Sequence, residues 1–113
     1  ASGRRRACFT MRFDPSRLVE YKKRHERVWP AMQETLVRCG WREYSLFCRS
    51  DGLAVGVFEA EGSLDECAAR MAEEPVNAEW QASMASFTAT GATPDSEFCE
   101  LEHYFYLGED REL

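Results

Sequence analysis

The hydrophobic period of this chain changes several times, and the order of the changes limits what it can fold into. Ala7, Phe9, Met11 and Phe13 alternate with Cys8, Thr10 and Arg12, the two-residue period of a strand with one apolar face. Asp14-Pro15 follows, an N-cap and a first helical position. From there Leu18, Tyr21, His25, Val28, Trp29, Met32 and Leu36 recur at steps of three and four, the stripe of an amphipathic helix. Pro30 lies inside that stripe, where it removes a hydrogen bond and should kink the helix or divide it. Gly40 ends the helix.

The second half repeats the alternation of periods. Glu43–Arg49 reads as a strand with Tyr44, Leu46 and Cys48 on one face, and Ser50-Asp51-Gly52 as a hairpin turn. Leu53–Ala60 returns as a strand. Its Ala54, Gly56, Phe58 and Ala60 face is mostly small and leaves room for something to approach. Ser63 and Glu66 form a capping box for a helix reaching about Ala72. Pro75 starts another helical stretch carrying Val76, Trp80, Met84 and Phe87. Gly91–Ser96 is a loop with a Thr-Pro-Asp-Ser turn. Glu97–Leu107 alternates again, and the last six residues form an acidic tail.

The order is β-α-β-β-α-β. It predicts an α+β, ferredoxin-like fold, an antiparallel sheet with helices on one face, in a single domain with its core over about residues 7–107. Apolar residues on both faces of several strands predict that the second face is covered by another copy of the chain. The expectation is a homodimer whose two sheets pack as an α+β barrel.

Composition narrows the partners. A net charge of −6 argues against nucleic acid or an anionic membrane, and the basic run Arg4-Arg5-Arg6 reads as a solvated lead-in to the first strand. The five cysteines are odd in number and form no CxxC. They read as reduced, mostly buried thiols in a reducing compartment, the cytoplasm. No apolar run reaches the length of a membrane span and no signal-peptide core is present. The chain opens on Ala1-Ser2-Gly3 rather than Met, so removal of a transit peptide stays among the readings.

The chemistry concentrates in Glu20-Tyr21-Lys22-Lys23-Arg24-His25-Glu26-Arg27-Val28-Trp29-Pro30. Tyr21, His25 and Trp29 are spaced by four, which stacks their rings on one helical face. Imidazole moves protons near neutral pH, a phenol makes hydrogen bonds, and an indole packs on the C–H face of a sugar. The plain alternative for His25 is a packed core residue; charged neighbours place it at the edge of the stripe instead. Tyr44 and Trp80 are core aromatics by position, each with a polar handle. His103 alternates with core residues on the last strand and reads as packed. No metal-ligand spacing, phosphate loop or nucleophile elbow is present.

These residues resemble the L-rhamnose mutarotase family. The likeness runs from Phe9-Thr10-Met11 and Asp14-Pro15 to the Tyr-xxx-His-xxx-Trp-Pro signature at Tyr21, His25, Trp29 and Pro30. It continues through Tyr44-Ser45-Leu46-Phe47, Trp80 and Met84, and closes at Leu101-Glu102-His103-Tyr104-Phe105-Tyr106-Leu107. The resemblance implies a cofactor-free, metal-free isomerase that interconverts the α and β anomers of L-rhamnose or a related 6-deoxy sugar, in a ferredoxin-like dimer. It gives His25 the proton-donor role towards the ring oxygen, and Tyr21 would orient the sugar and take a share in the second proton. Tyr44 would bind a sugar hydroxyl, and Trp80 would pack on the apolar face with the 6-methyl group. Two departures border that site. Gln81 stands where the family has the second tryptophan of a pair, and Ala92-Thr93-Pro94-Asp95-Ser96-Glu97 replaces an Asn-Pro-Asp-Asn-Ser-Pro loop. Two further readings of the same barrel are a cofactor-free monooxygenase and a sugar-binding protein without catalysis.

Overall fold

The computed structural model describes residues 4–107; the N-terminal tripeptide and the acidic tail lie outside the described residues. Strand β1 (Arg4–Arg12) is followed by a 3₁₀ turn at Pro15–Arg17, then α1 (Leu18–His25) and α2 (Pro30–Arg38). The hairpin β2 (Trp41–Cys48) and β3 (Leu53–Glu61) leads to α3 (Leu64–Ala72) and α4 (Pro75–Met84). A short β4 (Cys99–Leu101) comes last. The four strands form one antiparallel sheet in the order β2-β3-β1-β4, the ferredoxin-like arrangement.

Local chemistry explains the boundaries. The Asp14 carboxylate accepts from the Ser16 backbone N–H and starts the first helical turn. Pro30 sits at the first position of α2, so the long amphipathic stripe is divided into two helices rather than kinked. Ser63 and Glu66 satisfy each other's backbone N–H groups in a complete capping box. Gly52 has φ +97°, and a Cβ there would lie 2.1 Å from the Phe13 carbonyl oxygen, so that corner of the hairpin admits only glycine.

The helix-covered face of the sheet carries the core, with Ala7, Phe9, Met11, Ala54, Phe58 and Ala60 all buried as the alternation predicts. The small-residue face of β3 leaves no lasting space. A Cβ on Gly56 would lie 2.4 Å from Phe9 Cζ, so the Phe9 ring fills the room that the small side chains leave. Phe9 packs in turn on Trp41, Tyr44, Phe58 and Phe98.

On the opposite face, Cys8, Thr10, Val55 and Val57 are half-buried, and Phe47 is 60% and Leu101 44% exposed. Several expectations change here. The strand expected over Glu97–Leu107 pairs only at Cys99–Leu101, opposite Cys8–Thr10. Beyond it the backbone is irregular and every side chain to Leu107 is exposed. His103 is therefore not packed; it is exposed and bonds the Phe105 carbonyl. An alternating pattern marks a surface to be covered, and one copy of the chain supplies no cover. Nor are the thiols mostly buried: Cys39 and Cys67 are, Cys8 is half-buried, and Cys48 and Cys99 are exposed.

Candidate functional site

Between the helices and the sheet lies a cavity of about 600 Å³, inside the roughly 300–1,000 Å³ range of small-molecule sites. Tyr21, His25, Tyr44, Trp80 and Gln81, the five residues singled out in the sequence, all line it.

Helix α1 supplies Tyr21 and His25 one turn apart, with ring centroids separated by 4.5 Å. Tyr21 is wedged against Phe13 at 4.1 Å, which fixes the ring. His25 meets the edge of Trp80 at 5.4 Å. Trp29 does not extend this stack on α1, contrary to the helical spacing. Proline at the next position ends the run, and the Trp29 ring turns instead to Trp80, at 5.0 Å. The three-ring stripe is thus Tyr21, His25 and Trp80, with Trp80 brought in from α4.

Tyr44 reaches the cavity through an irregularity that the alternation missed. Trp41 and Tyr44 are three residues apart, which in a regular strand places them on opposite faces. Both nevertheless pack on Phe9 and Phe58. Between Arg42 and Ser45 the register slips against β3, and Glu43 has φ +50°. The one extra residue is a β-bulge that re-aims Tyr44, Leu46 and Cys48 at the helix side. The strand consequently starts at Trp41, two residues before the position predicted.

The third wall is polar. Asn77 on α4, 3% exposed, donates from Nδ2 to the Met71 carbonyl and to Asp95 Oδ2 at 3.0 Å. Gln81, one turn on, donates to Asn77 Oδ1 and accepts the Asp95 backbone N–H at 2.9 Å. Asn77 and Asp95 both line the cavity, and neither was singled out from sequence. Asn77 stands four before Gln81, a spacing that could have suggested a pair. Asp95 was read as part of a turn and of a loop bordering the site, without a role of its own.

The His25 imidazole bonds the Tyr21 carbonyl through Nδ1 at 3.1 Å. A carbonyl only accepts, so Nδ1 carries the proton and neutral Nε2 carries a lone pair. Burial pushes the imidazole below its usual value, and the Tyr21 carbonyl works against that. The Tyr21 phenol is pushed up by burial and, second, by Cys48. The Tyr44 phenol is pushed up by burial and then by Tyr21 and Asp95. Burial also raises the Asp95 carboxyl, against the Asn77 amide. Neither phenol has a hydrogen-bond partner among the described residues, and no described buried side-chain oxygen or nitrogen is unsatisfied. Both hydroxyls therefore reach open space in the cavity they line. The arrangement offers a proton acceptor, a half-buried carboxyl, two hydroxyl donors and an indole around one hollow. Among the described residues no three His, Cys, Asp or Glu side chains lie close enough to hold a metal ion.

Comparison with known proteins identifies the family. The protein is 34% identical over 102 residues to an L-rhamnose mutarotase of Burkholderia orbicola (strain MC0-3), covering 88% of this chain and 95% of that one. It is 34% identical over 101 residues to an L-rhamnose mutarotase of Rhizobium etli, covering 88% and 93%. The crystal structure of an L-rhamnose mutarotase from Formosa agariphila superposes with a TM-score of 0.75 over 92% of this chain and 99% of that chain, at 24% identity, which supports the fold. The family described as L-rhamnose mutarotase matches residues 6–107, and the chain belongs to it.

Proposed function

We propose that this protein interconverts the α and β anomers of L-rhamnose by acid–base opening and reclosing of the sugar ring. The observation that carries the reading is His25, an imidazole of fixed tautomer on a cavity of monosaccharide-site size, in a chain of this family. The named relatives support the same reaction and give the monooxygenase reading no support.

Ring opening needs one proton taken from the anomeric hydroxyl and one given to the ring oxygen. Because burial favours the neutral imidazole, His25 enters first as acceptor through Nε2 and returns its proton on closure. This reverses the donor role that the sequence suggested for the opening step. Tyr21 and Tyr44 keep their protons and act as hydrogen-bond donors to sugar hydroxyls. Trp80, backed edge to face by Trp29, offers indole surface to the apolar side of the sugar. Neither electrons nor groups are transferred, so the chemistry asks for no cofactor.

The proposal includes a homodimer. The bare sheet face, with Phe47 and Leu101 on it, and the exposed 102–107 segment are surfaces that a second copy would cover. Five free thiols fit a reducing compartment, the cytoplasm. Sedimentation at micromolar concentration tests the dimer; a monomer there would reject it.

The reaction is tested by exchange NMR on L-rhamnose. His25→Ala is expected to lower the catalysed exchange roughly 10²- to 10⁴-fold. Unchanged exchange in a folded variant would reject the assignment.

A further inference from the structure

Mutarotation moves two protons at two oxygens, and His25 offers only one free ring nitrogen. Nδ1 is committed to the Tyr21 carbonyl, so Nε2 serves a single oxygen at a time. The two phenols of the cavity are held in their neutral form by burial, so neither releases a proton readily. The remaining titratable groups lining the cavity are Glu26 from α1, Glu43 from β2 and Asp95 from the loop; α3 and α4 contribute none. Glu26 and Glu43 are exposed to solvent. Asp95 is different in its setting. Its Oδ2 accepts from the buried Asn77, its backbone N–H is held by Gln81, and Gln81 is itself tied to Asn77. Three side chains and one backbone group thus close a ring whose effect is to point one carboxyl at the hollow. Oδ1 has no partner among the described residues and is not fully enclosed. Tyr44 lines the same cavity and feels both Tyr21 and Asp95.

We propose that Asp95 is the second proton-carrying group of this cavity, working with His25, which lines the same hollow, with Asn77 and Gln81 as its positioning residues. The inference rests on the anomer-exchange reading above. In the opening step the bond from the anomeric carbon to the ring oxygen breaks, and its electron pair goes to that oxygen, which takes the proton of the Asp95 carboxyl. At the same time Nε2 of His25 takes the proton of the anomeric hydroxyl, whose electron pair forms the carbonyl. Rotation about the adjoining carbon–carbon bond presents the other carbonyl face. Closure returns each proton along the reverse path. The pair needs one proton between its two members, and either distribution opens the ring with the roles exchanged. Burial lowers the imidazole and raises the carboxyl, which brings the two groups towards a shared working range.

The test is exchange NMR on L-rhamnose across pH, corrected for the uncatalysed rate, with wild type, Asp95→Asn, Asp95→Glu, Gln81→Leu and His25→Ala. Asp95→Asn keeps an oxygen for Asn77 but loses the proton. It is expected to lower kcat about 10²- to 10³-fold with KM within about threefold. It should also turn a two-limbed pH profile into a single limb. Asp95→Glu keeps a carboxyl on a longer arm and should fall between the two, which preserves the test if Asp95→Asn does not fold. Gln81→Leu should lower kcat about tenfold and displace the limb that Asp95→Asn abolishes. A fixed limb would remove Gln81 from its positioning role. Wild-type exchange that is lost in His25→Ala but kept in Asp95→Asn overturns this inference alone. A wild-type protein without exchange overturns the reading of the cavity and this inference with it.

Discussion

On one side of the cavity Tyr21 and His25 stand one turn apart and are held by rings: Phe13 beneath Tyr21, Trp80 against His25. On the other side Asn77, Gln81 and Asp95 are held almost wholly by hydrogen bonds, across 18 residues of sequence between Asn77 and Asp95. Apolar burial is largely non-directional, and the cost of removing a ring scales with the area lost and the cavity left behind. A buried polar ring is directional, and removing one member leaves the others unsatisfied at full cost. The aromatic wall should therefore lose stability in proportion to the area removed, whereas the polar wall should fail as a unit.

Trp80 gives the largest test of this contrast. It is on α4 beside Gln81, yet its ring serves the aromatic wall through His25 and Trp29. It is 7% exposed, so Trp80→Ala should cost about 3–5 kcal/mol of stability in denaturant unfolding. The Asn77–Asp95 contact should survive it, visible as an unshifted Asp95 titration. A loss below about 1 kcal/mol would mean that the ring is dispensable packing and the wall is not built on it.

Asn77→Ala comes next. It removes no large area but strips a partner from the Met71 carbonyl, Asp95 and Gln81 together. The expected cost is about 1–3 kcal/mol. A double cycle with Gln81→Leu should be strongly non-additive, since either change opens the same ring. Additive effects would show that the polar wall is a set of independent contacts.

The same contrast explains what could be read in the sequence. Alternation put Ala7, Phe9, Met11 and Phe13 inside, and caps and prolines fixed the ends of α2, α3 and α4, because each of those signals is local. Tyr21 and His25 were legible because a helical turn is local too. The bulge at Glu43 has no periodic signature; its trace in the sequence is a pair of core aromatics, Trp41 and Tyr44, at an odd spacing. The resemblance put the Asp95 loop at the edge of the site, but the role of Asp95 stayed hidden because aspartate is ordinary in a turn and its hydrogen bonds to Asn77 and Gln81 come from a distant helix. The overlong last strand failed for the opposite reason. Glu97–Leu107 carries the pattern of a covered strand, but it pairs with β1 only over Cys99–Leu101, although β1 itself runs on to Arg4.

The smallest effect separates the walls most finely, and it falls on Tyr21. Its ring is packed by Phe13, His25 and Phe87, while its hydroxyl has no partner among the described residues. Tyr21→Phe keeps every ring contact, so the unfolding free energy should change by less than about 0.5 kcal/mol. What the variant loses is one donor to the sugar, worth about 0.5–1.5 kcal/mol, which appears as a rise of up to roughly tenfold in KM at nearly constant kcat. A fall in kcat of about 10²-fold or more would give the phenol the second proton after all, as the sequence alone suggested, and would take that role from Asp95. The two carriers belong to different elements, Tyr21 to α1 and Asp95 to the loop tied to α4, so this one mild substitution decides whether the chemistry is contained within α1 or draws on that loop.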